Sequence, residues 1–90
     1  MYHVKISEGA INQLRKLDPS VRWIVQNWIL KNLSDTSDPR VHGKALTGNL
    51  KGIWRYRVGD YRLFAEIIDQ ELLIFIFEFA HRRWFMTIKP

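Results

Sequence analysis

The chain has no cysteine, which removes disulfides and thiolate metal sites and leaves the redox compartment open. Nucleotide-binding glycine loops, HExxH zinc pairs and serine-centred elbows are also missing. With five glycines, three prolines and no internal repeat, the chain is neither a low-complexity nor a solenoid sequence. Its longest apolar run, 72–79, is interrupted by Glu78 and falls well short of the roughly 20 residues a membrane helix needs. No stretch resembles a signal peptide. A soluble cytoplasmic protein with no membrane partner and no small-molecule cofactor is expected. Acid is in short supply as well: nine acidic residues face fourteen basic ones, a net charge of +5 that favours polyanionic partners.

What is present fits a single domain, 1–90. Hydrophobic residues make up 47%, enough for a globular core and too many for disorder. A chain this short buries only about 60% of its unfolded surface, so partner binding would add to its stability. The positive charge is unevenly placed. Between positions 40 and 62 lie Arg40, Lys44, Lys51, Arg55, Arg57 and Arg62, with His42, against Asp60 alone. The first 39 residues are close to balance.

Hydrophobic periodicity orders the chain. Tyr2, Val4 and Ile6 alternate with His3 and Lys5 as a strand. Ser7 can cap a helix that carries Ala10, Ile11, Leu14 and Leu17 on one side. Asp18-Pro19 stops that helix and starts another, running to about Leu33. Its stripe of Val21, Ile24, Val25, Trp28, Ile29 and Leu33 is widened by Trp23 and Leu30, which makes it a candidate surface for a partner. The segment 34–52 has no clear period and reads as a long loop. Three strands follow, the last apolar enough to be central, with its register open because turn length decides it. These elements give an α+β domain of order β-α-α-β-β-β, an antiparallel sheet covered on one face by a helical hairpin.

The most informative segment is 53–66, which alternates on both sides of Gly59-Asp60, the mark of a two-residue hairpin turn. That turn pairs Val58 with Tyr61, Arg57 with Arg62, Tyr56 with Leu63 and Arg55 with Phe64. Trp54, Tyr56, Val58, Tyr61 and Leu63 then face the core, and Arg55, Arg57 and Arg62 share the other face. Like charges set opposite one another destabilise a sheet, so three gathered guanidiniums point to an anionic ligand such as phosphate. Lys44 and Lys51 suit nonspecific phosphate contacts. After the last strand, Ala80-His81-Arg82-Arg83-Trp84 adds an imidazole suited to proton transfer, two more cations and a ring that can pack or stack on a base.

The pattern Leu50-Lys51-Gly52 followed by Arg55-x-Arg57-x-Gly59-Asp60-Tyr61-Arg62, closing on His81-Arg82-Arg83, resembles the RelE/ParE superfamily of bacterial toxins over essentially the whole chain. The resemblance implies a RelE-like fold and a cognate antitoxin that neutralises the toxin. RelE-type members cleave mRNA in the ribosomal A site; ParE-type members poison DNA gyrase. On that likeness Arg55, Arg57, Arg62 and Arg82 fall at the family's basic positions, and His81 at its frequent histidine. RelE-like toxins commonly carry a tyrosine shortly afterwards. Here Met86 stands nearest that place, and a thioether exchanges no proton.

The resulting expectation is a type II toxin acting as a ribosome-dependent mRNA endoribonuclease. A ribose 2′-hydroxyl attacks the adjacent phosphate without a metal, Arg62 and Arg82 hold the nonbridging oxygens of the phosphorane, Arg55 and Arg57 place the backbone, and His81 moves a proton. Lys44, Lys51, Arg83 and Trp84 hold RNA. The alternatives are a gyrase inhibitor and a degenerate toxin that only binds its antitoxin.

Overall fold

In the computed structural model, which describes residues 1–83, a mixed five-stranded sheet carries two helices on one face. The elements are β1 (His3–Ile6), α1 (Glu8–Arg15), α2 (Pro19–Asn32), β2 (Gly43–Ala45), β3 (Trp54–Val58), β4 (Tyr61–Ile68) and β5 (Leu73–His81), in sheet order β1-β5-β4-β3-β2. The α+β architecture follows the periodicity, with two differences. β1 runs parallel to β5, so the sheet is not wholly antiparallel. The 34–52 loop also contributes a short strand, β2, antiparallel to β3.

Local chemistry accounts for the helix ends. The Ser7 hydroxyl accepts from the Ala10 N–H at 3.1 Å, capping α1. Pro19 opens α2, where its missing N–H is harmless, but Asp18 caps with backbone position only and makes no side-chain bond. Ala10 and Leu14 of α1, with Val25, Ile29 and Leu33 from α2 and its C-cap, pack on Tyr56, Val58, Leu63, Ala65, Ile74, Ile76 and Phe79. Ile24, Trp23 and Leu30, at 54%, 65% and 66% exposure, stay outside that core.

Tyr56 sits at the centre, fully buried, its hydroxyl donating to the Pro39 carbonyl at 2.5 Å and its ring against Trp28. That bond ties the irregular loop to the sheet. It also explains why β2 begins at a glycine: a Cβ on Gly43 would meet Tyr56 Cε1 at 2.8 Å and Trp54 Cε3 at 3.2 Å. Gly43→Ala is therefore expected to destabilise the protein by about 1–3 kcal/mol through overpacking, read as a lowered urea midpoint with unchanged slope.

Candidate active site

The β3–β4 hairpin has the register expected from its alternation: Val58 opposes Tyr61, Arg57 opposes Arg62, Tyr56 opposes Leu63 and Arg55 opposes Phe64. On the face away from the helices, one row reads Lys44, Arg55, Phe64, Glu78 across β2 to β5. The next reads Arg57, Arg62, Ala80. Arg62 Nη1 donates to the carbonyls of Gly59 and Tyr61, both at 3.0 Å, which holds the guanidinium at the turn.

Burial, then the charges of Arg57, Arg55 and Arg82, pull the Arg62 pKa below the usual arginine range, against a partial opposing effect of Asp60. Four guanidiniums thus share one electrostatic neighbourhood. Among the described residues, Arg55, Arg57 and Arg62 form no ion pair. Arg82 is fastened to the hairpin tip, its N–H donating to the Asp60 carbonyl at 2.8 Å and its Nε lying 3.7 Å from the Asp60 carboxylate. The three hairpin guanidiniums thus face one another with only Asp60 nearby in partial opposition, a repulsion that a bound anion would relieve.

His81 does not join them. The register that the sequence leaves open puts Tyr61 opposite His81 and Arg62 opposite Ala80, so the imidazole and the hairpin arginines lie on opposite faces. His81 meets the Tyr61 ring edge-on at 5.2 Å, on the helix side of the sheet. There it lines a cavity of about 540 Å³ with Gln13, Lys16, Leu17, Tyr61 and Phe79. Its Nδ1 accepts from the Arg83 N–H at 3.1 Å, so the neutral ring carries its proton on Nε2.

The reason is a β-bulge. Phe64 opposes Glu78 but Ala65 opposes Ile76, leaving Phe77 as the extra residue of β5. Ile76 is fully buried on the core side. Strict alternation from Ile76 would point Glu78 inward and His81 toward the arginines. The extra residue inverts both. Sequence reasoning passed over Glu78 as a site residue, although a lone carboxylate interrupting 72–79 was the available signal.

The remaining basic residues divide. Lys44 lies in the Arg55 row. Lys51 follows a 3-10 turn, Gly48–Leu50, near the opposite end of β3 from the Gly59 turn. Arg40 is committed elsewhere: its guanidinium grips Asp69 at 3.1 and 2.8 Å and lies 5.5 Å over the Trp54 ring. That pairing, with a hydrogen bond from the Tyr2 hydroxyl, holds the Asp69 carboxyl below the usual range. Arg83 lines the His81 cavity rather than the arginine row. Trp84 and Met86 lie outside the described residues. Among the described residues no group of three or more His, Cys, Asp or Glu side chains could hold a metal ion, and no helix is long and apolar enough to cross a membrane.

A family model, the ParE toxin of the type II toxin-antitoxin system parDE, matches residues 4–84. The chain belongs to the RelE/ParE superfamily of type II toxins. Among solved structures, this RelE/ParE toxin is similar to a chain of the RelBE2 toxin-antitoxin complex from Mycobacterium tuberculosis, with 32% identity, a TM-score of 0.82, and 90% and 98% of the two chains covered. The archaeal RelE-RelB complex from Pyrococcus horikoshii OT3 matches at 25% identity and TM-score 0.68, covering 90% of this chain and 94% of that one. The isolated E. coli RelE toxin shares the fold at 21% identity and TM-score 0.72, over 99% and 97% of the two chains. No curated protein matches the toxin in sequence.

Proposed function

We propose that this toxin is a ribosome-dependent mRNA endoribonuclease that inhibits translation in the cytoplasm. The observation that carries the reading is the gathering of Arg55, Arg57 and Arg62, without an ion pair among the described residues, beside an Arg82 that Asp60 holds. Such a cluster fits a dianionic phosphorane better than a singly charged phosphodiester, which is the condition for catalysis rather than mere binding. The 2′-hydroxyl of one ribose attacks the adjacent phosphorus and expels the 5′-oxygen of the next nucleotide. The products are a 2′,3′-cyclic phosphate and a 5′-hydroxyl end. Arg62 and Arg82 take the nonbridging oxygens, while Arg55, Arg57 and Lys44 seat the flanking backbone. Lys51, Arg83 and Trp84 extend the RNA contact along the chain. The position of His81 on the helix side of the sheet supports a reading in which it does not carry the proton at this phosphate.

A cognate antitoxin is the second partner, by analogy with the toxin-antitoxin complexes of the similar structures. It neutralises the toxin by covering the basic face. The A site of the ribosome supplies the remaining positioning of the message.

Induction of the toxin without antitoxin, followed by mapping of transcript 5′ ends, tests the reading. Cuts inside translated codons that bear 5′-hydroxyls are the expected result. The ParE family match favours a second reading, a gyrase inhibitor. A DNA-damage response over intact transcripts would establish it and exclude the nuclease. Harmless overexpression would instead leave antitoxin binding as the remaining activity.

A further inference from the structure

We infer that Glu78 is the proton acceptor of the cleavage step, a role that rests on the endoribonuclease reading above. Phosphorane stabilisation by arginines leaves the 2′-hydroxyl proton without a destination, because a guanidinium accepts no proton at neutral pH. His81, the obvious carrier, is on the other side of the sheet. Glu78 is on the correct side, level with Arg55 and Phe64 and diagonal to Arg62. Diagonal neighbours across an antiparallel pair lie roughly 7–8 Å apart, wider than a direct ion pair, so both side chains can converge on one bound group.

The bulge is the independent observation. Bulges are concentrated beside active sites, where they re-aim a side chain. This one turns a half-buried carboxylate out of the core side and onto the cationic face. Glu78 is not consumed there: it forms no ion pair among the described residues, and the carboxylate acting on Arg62 is that of Asp60. The titratable and charged groups sharing the face are His3 and Lys5 of β1, Lys44 of β2, Arg55 and Arg57 of β3, and Arg62 and Glu66 of β4, with Arg82 just beyond β5 acting on Arg62. Glu66, opposite Phe75, lies beyond the bulge, diagonal to Arg55 but four residues along β4 from Arg62.

In the step, the 2′-oxygen forms its bond to phosphorus as its proton passes to a Glu78 carboxylate oxygen. The bond from phosphorus to the 5′-oxygen breaks, and that oxygen takes a proton from water. Glu78 then returns its proton to solvent, so the exchange closes with no further reactant.

The test uses purified toxin and ribosomes carrying message in the A site. Glu78→Gln is expected to slow cleavage by about 10²-fold or more and to remove the acid limb of the pH–rate profile, while Glu78→Asp keeps that limb at reduced rate. A Glu78→Gln toxin that cleaves at the wild-type rate with the same acid limb overturns the assignment and leaves the nuclease reading standing. Wild-type toxin that cleaves nothing overturns the nuclease reading itself. Should Glu78→Gln fold poorly, the wild-type profile decides alone: a rate that falls through the carboxylate range supports the inference, and a flat one removes it.

Discussion

Arg62→Ala is expected to reduce cleavage of ribosome-bound message by about 10²–10³-fold, the usual consequence of deleting one preorganised donor to a developing oxyanion. Growth should recover in cells that express the variant without antitoxin. The variant also loses two hydrogen bonds to the hairpin carbonyls, so loss of activity has to be separated from loss of fold. Electrostatics provides the separation. Arg57 lies directly opposite Arg62, and removing one of two facing like charges relieves repulsion. The melting temperature of Arg62→Ala should therefore hold or rise while activity collapses. Arg62→Lys retains the charge without the planar fork and should recover only part of the rate. Full toxicity in both variants, with both folded, would take Arg62 out of the chemistry.

Tyr56 carries the largest expected effect on stability. Truncating a fully buried aromatic to alanine removes about 3–5 kcal/mol, a large fraction of what a small domain has. Tyr56→Ala should be largely unfolded at 37 °C. Tyr56→Phe isolates the hydroxyl: the Pro39 carbonyl loses its donor, at about 1–3 kcal/mol if no water replaces it. Titration gives a second readout. Burial pushes the Tyr56 pKa up to about 12 from an unfolded value of 10.0. Below the unfolded value both states hold the proton and stability is unaffected. Between the two values the unfolded chain gives up its proton while the folded one keeps it, so stability falls by about 3 kcal/mol across that window. In Tyr56→Phe this alkaline loss disappears, and urea denaturation from pH 9 to 12 measures it.

Legibility from sequence followed the strength of local signals. The β3–β4 register was readable because a Gly-Asp turn allows one pairing and the flanking residues alternate without a break. The helices were readable because Ser7 and Pro19 punctuate a 3.6-residue pattern. β2 was not, since three residues carry no period and the strand is defined by its pairing with β3, Gly43 opposite Tyr56. The arginine cluster followed from the hairpin alone. The side on which His81 falls could not follow, because Ile74-Phe75-Ile76-Phe77 is apolar at every position and shows no preference between faces. The bulge that decides the matter leaves no mark in composition.

The extra residue at Phe77 bears on how knowledge passes between distant relatives of this chain. Two homologues can place the same histidine in the same alignment column and, if only one keeps the insertion, present it to opposite solvents. Column identity is then a poor guide to function in the last strand, and an inherited catalytic role should be accepted there only after counting residues against the neighbouring strand.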